Sequence, residues 1–105
     1  MVELWKLLGF EPVPAPGAIA DSVTWLEREG HQIHLRLAER PAGPRLGHAA
    51  VVVAGFEEAA ARLRAAGFEV EARRPHWGAA RAMVHGPAGH RVELMAASPP
   101  PAPGH

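Results

Sequence analysis

His31-Gln32-Ile33-His34-Leu35 returns fifty-nine residues along the chain as His90-Arg91-Val92-Glu93-Leu94, and Gly9-Phe10-Glu11 returns after fifty-eight as Gly67-Phe68-Glu69. One inserted residue reconciles the two spacings. A repeat of this kind is weighed before any local element, because missing it misassigns everything built on it. Between the anchors, residues 22–29 (SVTWLERE) answer residues 78–85 (GAARAMVH), each an extended stretch closed by a Gly-containing turn before the His-led strand. Each half therefore reads as a helix followed by three strands.

The second half shows what precedes that unit. Residues 48–53 (HAAVVV) are a β-branched run, Gly55 follows, and residues 56–66 carry apolar side chains at 56, 59, 60 and 63, one face of a helix. Glu57 and Glu58 occupy its first turn and Arg62 and Arg64 its last, both favourable to the helix dipole. Gly67 stands where a left-handed C-terminal cap belongs. The first half begins already inside its helix, with Trp5, Leu7 and Leu8 leading into Gly9. By the repeat spacing the partner of His48 would precede Met1, so the first module is read as lacking its first strand. Residues 39–47 (ERPAGPRLG) read as a linker and residues 98–105 (SPPPAPGH) as a Pro-rich, disordered tail, neither expected to carry chemistry.

Composition narrows the function classes. A chain of 105 residues supports one cooperative domain. Eleven Lys and Arg balance eleven Asp and Glu, which leaves no field to hold a phosphate backbone and argues against nucleic acid. The absence of Cys removes disulfides, thiolate ligands and a cysteine nucleophile, so a metal here must use His and carboxylate. No long apolar run and no signal-like start is present, and the expectation is a cytoplasmic protein without membrane contact. There is no nucleophile elbow and no Gly-rich phosphate loop.

Leu8-Gly9-Phe10, Gln32-Ile33-His34-Leu35, Gly47-His48, Ala66-Gly67-Phe68 and Val92-Glu93-Leu94, in that order and spacing, resemble the vicinal oxygen chelate superfamily of glyoxalases, bleomycin-resistance proteins and extradiol dioxygenases. The resemblance runs from about Leu4 to Ala96. It implies an α+β fold of paired βαβββ modules forming a cup-shaped mixed sheet, with one domain over 1–97 divided into modules 1–38 and 47–97. The family's Asp-Pro-x-Gly-Asn turn before the last strand is replaced by Gly86-Pro87-Ala88-Gly89-His90. Its Pro and second Gly survive, so the turn is expected to survive with them.

The resemblance also implies a site. Carried over position by position, the metal ligands are His34, His48 and Glu93, with Glu93 also the catalytic residue. His34 and Glu93 are equivalent under the repeat, and alternation places Gln32, His34 and Arg36 on one face and Arg91, Glu93 and Met95 on its counterpart. Ile33, Leu35, Val92 and Leu94 then face the helices. Two imidazoles and a carboxylate suit one divalent ion, Fe, Mn, Ni or Zn, which would act as a Lewis acid on substrate oxygens. Arg81 and Trp77 are the candidate substrate contacts, Arg81 as an anion anchor.

Each residue also has a plainer reading. His48 can be a structural side chain opening a strand, His34 can serve the sheet alone, and Glu93 can pair with Arg91 or Arg81. An inward carboxylate with no partner would cost several kcal/mol, which is why Glu93 demands a cation or a proton. Trp25 and Trp77 can be cup lining or core, and Arg81 an ordinary surface ion pair. His31, His76, His85 and His90 are read on turns or outer strand faces.

Three functions compete. The first is a divalent-metal-dependent lyase, isomerase or dioxygenase acting on a small oxygenated metabolite. The second is a metal-free ligand-binding protein of the bleomycin-resistance type, a homodimer in which the second chain covers the edge left by the missing strand. The third is a truncated or degenerate copy without activity.

Overall fold

Both Gly-Phe-Glu copies end a helix in the same way. In the computed structural model, which describes residues 1–43 and 47–98, helix α1 (Val2–Leu7) and helix α2 (Phe56–Ala65) each close in a doubly hydrogen-bonded left-handed cap. After α1, Gly9 N–H donates to the Lys6 carbonyl and Phe10 N–H to that of Trp5. After α2, Gly67 N–H donates to Arg64 and Phe68 N–H to Leu63. The cap needs a positive φ at its pivot, and Gly9 (φ 92°) and Gly67 (φ 95°) provide it at no steric cost. The apolar contact that accompanies such caps is present as an edge-to-face pair of Trp5 and Phe10, centroids 5.3 Å apart. Linker residues 44–46 and the tail from Pro99 onward, His105 included, lie outside the described residues.

The chain divides into two compact units, Met1–Ala42 and Gly43–His105. In the first, α1 is followed by β1 (Glu11–Val13), β2 (Val23–Arg28) and β3 (His31–Arg36), an antiparallel sheet in the order β1-β2-β3. Pro12 sits in β1, an edge strand, where a missing N–H costs the sheet least. Glu29 (φ 50°) and Gly30 (φ 82°) form the two-residue turn joining β2 to β3, with both residues left-handed as its twist requires. Leu4, Trp5, Leu8, Phe10 and Leu26 are the buried apolar set. Arg28 reaches back from β2, donating to the Leu8 carbonyl at 3.0 Å with its guanidinium 4.7 Å from the Phe10 ring centre.

The second unit runs β4 (Ala49–Val52), α2, β5 (Glu69–His76), β6 (Ala79–His85) and β7 (Arg91–Met95), in the sheet order β4-β7-β6-β5. β4 lies parallel to β7 and the other pairs are antiparallel. Pro75 falls where the β5–β6 register shifts between Arg73 and His76, on the outer strand, again where the ladder tolerates it. Ala82, Val84, Val92 and Leu94 form one buried face with Ala59, Ala60 and Leu63 of α2, which is the periodicity read from the sequence. The 86–90 turn survives through backbone bonds: Gly86 N–H donates to the His90 carbonyl and His90 N–H to that of Pro87. Gly43 lies against this turn, its N–H donating to Ala88 at 2.7 Å, and a Cβ there would meet Gly89 backbone at 2.5 Å. Gly43 is thus tied into this unit.

Register makes the repeat explicit and corrects one alignment. Val13 faces Trp25 and Trp25 faces His34 in the first unit, as Glu71 faces Met83 and Met83 faces Glu93 in the second. Trp25 therefore corresponds to Met83, fifty-eight residues on. Matching residues 22–29 to 78–85 is two residues out, because it aligned strand ends whose turns differ in length. The inserted residue lies in the turn before β7, where Pro87-Ala88-Gly89 stands for Glu29-Gly30.

Candidate functional site

Alternation along β7 divides its residues cleanly. Val92 and Leu94 are buried under the helix face, and Arg91, Glu93 and Met95 point the other way. Parallel pairing sets Ala50 of β4 beside Glu93, which brings His48, two residues earlier on the same strand line, to that face. Antiparallel pairing with β6 brings Arg81, Met83 and His85 to it as well.

Three of the sequence-nominated residues meet there. His48 Nε2–H donates to Glu93 Oε1 at 2.9 Å, and Arg81 Nε lies 3.4 Å from Glu93 Oε2. The carboxylate is thus held at both oxygens by groups from two neighbouring strand lines. The Glu93 and Arg81 side chains are 13% and 16% exposed and that of His48 30%, so the ion pair is shielded while the imidazole is reachable. Arg81, one of the two arginine partners weighed for Glu93, reaches it.

His34 belongs to the first unit. Its ring stacks on Trp25 with centroids 4.0 Å apart and planes 3° from parallel, and its Nε2 lies 2.9 Å from Gln32 Oε1. Gln32 in turn donates from Nε2 to Glu27 Oε1 at 3.1 Å. Trp25 is half-buried on this face, lining it rather than filling the core.

Trp77 occupies the two-residue turn between β5 and β6, left-handed at φ 41° and 46% exposed, with its Nε1–H donating to the Ala97 carbonyl at 3.2 Å. A bulky residue in that conformation costs on the order of 1 kcal/mol. It borders a shallow groove walled by Ala79, Ala80, Ala96 and Ala97.

The sequence reading missed one cluster. His85, assigned to an outer face, shares the Glu93 face, because it stands two residues from Met83, the direct partner of Glu93. Its Nε2 lies 3.2 Å from Glu71 Oε1, which also accepts from Arg73 at 3.0 Å. Only the register of β5 on β6 reveals this pairing. Within each unit, no group of three or more His, Asp or Glu among the described residues is gathered closely enough to enclose an ion. Among the described residues no helix is long and apolar enough to cross a membrane.

Comparison with solved structures finds the same fold. A glyoxalase-family protein of Bacillus anthracis is similar at a TM-score of 0.75 with 24% identity, over 86% of this chain and 75% of that one. The fosfomycin resistance protein FosX of Listeria monocytogenes, in a complex with Mn(II) and sulfate, is similar at 0.71 with 17% identity, over 92% and 78%. A variant of that FosX bound to Mn(II) and 1S,2S-dihydroxypropylphosphonic acid is similar at 0.73 with 18% identity, over 92% and 80%. None of the curated proteins matches the chain in sequence. The family model for the Glyoxalase/Bleomycin resistance protein/Dioxygenase superfamily matches residues 6–94, and the α+β arrangement of helices and two sheets agrees with it. With its fold and its sequence in accord over that span, the chain belongs to the Glyoxalase/Bleomycin resistance protein/Dioxygenase superfamily.

Proposed function

We propose that the protein is a divalent-metal-dependent enzyme acting on a small oxygenated molecule, with His48 Nε2 and Glu93 Oε1 as two of the metal's ligands. The observation that carries this reading is the 2.9 Å separation of those atoms. Two donors bound about 2.1 Å from one octahedral ion at a right angle stand about 3.0 Å apart. The pair has that spacing, and the same distance serves as a hydrogen bond when no ion is bound. Nitrogen with oxygen is a donor set suited to Mn, Fe, Ni or Zn, and the Mn(II) in the FosX complexes fits it.

The remaining chemistry belongs to side chains. A bound divalent ion would supply Lewis acidity, polarising substrate oxygens. Arg81 fixes the carboxylate from its far oxygen, so that Oε1 keeps its direction toward His48. Its guanidinium, with five N–H donors, is the group we assign to an anionic substrate oxygen. Trp77 and the alanine-walled groove form the apolar contact. The sequence nominates His34 for the metal as well, and loss of metal in a His34→Ala variant would add it to the set.

A second reading has one observation in its favour. Arg81 already neutralises Glu93, so the carboxylate does not require a metal, as suits a metal-free binding protein of the bleomycin-resistance type. Thermal melting of protein purified without a His tag separates the two. The metal reading expects chelator to lower Tm and Mn(II) to restore it, about 2.7 kcal/mol being available at a hundredfold excess over Kd. Melting indifferent to both, yet raised by an organic ligand, would decide for the binding protein.

A further inference from the structure

The hydrogen bonds around His34 have only one consistent polarity. A carboxylate offers acceptors alone, so the Gln32 group facing Glu27 must be its NH2, at 3.1 Å from Glu27 Oε1. The amide is then committed, and its carbonyl oxygen faces His34 Nε2 at 2.9 Å. That oxygen also only accepts, so Nε2 carries the proton. In the neutral ring the lone pair is left on Nδ1.

We infer that Glu27 acts through Gln32 as a positioning residue, holding His34 as the Nε2–H tautomer with its ring plane set by Trp25, so that Nδ1 is the nitrogen left with a lone pair for a ligand. Cross-strand register supports each contact. Glu27 stands directly opposite Gln32, and Trp25 directly opposite His34, on one face of β2 and β3. The stack, 4.0 Å between centroids and 3° from parallel, sets the plane of the ring, and the bond to Gln32 sets which nitrogen faces the amide. An imidazole oriented through its far N–H presents its near nitrogen in one tautomer to whatever binds there. The partner this prepares for is an electrophile, a divalent cation or an acidic hydrogen of a substrate. The tautomer stands whether or not His48 and Glu93 bind metal.

Long-range proton–nitrogen NMR on uniformly labelled, metal-free protein reads the tautomer directly. It is recorded at about two pH units above the ordinary histidine range so that the ring is neutral, with His34 assigned by its loss in a His34→Gln variant. The wild type is expected to show a protonated Nε2 and a bare, strongly downfield Nδ1. Glu27→Lys reverses the relay: an ammonium only donates, so the amide turns its oxygen toward it and its NH2 toward His34, and the proton moves to Nδ1. Gln32→Leu, which cuts the relay without reversing it, should give averaged nitrogen shifts. A wild type with Nδ1 protonated, or a Glu27→Lys variant with the wild-type pattern, overturns the inference. Metal binding at His48 and Glu93 is measured separately by Mn(II) titration, so failure of one reading is not failure of the other.

Discussion

Glu93→Ala is expected to weaken Mn(II) binding on the order of 100-fold or more, since even outer residues around a metal alter affinity 10- to 100-fold and this one supplies a ligand atom. The same change removes the carboxylate shared by His48 and Arg81, whose side chain is only 16% exposed. Stability should fall with it by about 1–3 kcal/mol, the cost of withdrawing the partner of a largely buried charged donor. Glu93→Gln separates the two effects. It retains shape and an acceptor for His48 but not the charge, so metal affinity should fall nearly as far while stability falls less. Isothermal titration beside urea melts reads both. Wild-type Mn(II) affinity in Glu93→Ala would remove Glu93 from the ligand set.

One residue further along the strand the expectation is reversed. Leu94→Ala should cost about 2–5 kcal/mol, because Leu94 is fully buried on the face shared with Leu63 and Val84 and its removal leaves a cavity. For a domain of this size that lowers Tm by about 8 °C or more, at roughly 4–8 °C per kcal/mol. Mn(II) affinity of the folded fraction should stay within a few-fold of wild type, since Leu94 points away from Glu93. A loss below about 1 kcal/mol would contradict the burial described for β7.

What was legible in the sequence was what depends on local chemistry and alternation. Gly9 and Gly67 announced their caps because only glycine takes the left-handed conformation there freely, and residues 59, 60 and 63 announced the buried face of α2. The two faces of β7 followed from period two alone. Contacts that depend on how one strand slides against the next were not legible. Arg91 and Arg81 were equal candidates for Glu93, and only the β6–β7 register shows that Arg81 comes within 3.4 Å of it. His85 shares the face of Glu93 only by virtue of the β6–β7 register, which no local pattern announces. Glu27 drew no notice, since its role arises only from standing opposite Gln32. Trp77 was nominated as a substrate contact, with cup lining or core as the plainer reading, and nothing in a Trp-Gly pair signals that the tryptophan itself is a left-handed turn residue.

On the proposed function, His48 and Glu93 converge to hold an ion rather than only each other. Metal content of the untagged protein, measured by elemental analysis after dialysis against Mn(II), tests it most directly when set beside His48→Ala. The account predicts about one divalent ion per chain in the wild type and a small fraction of that in the variant. Equal stoichiometric metal in both proteins, or none in either, would contradict it.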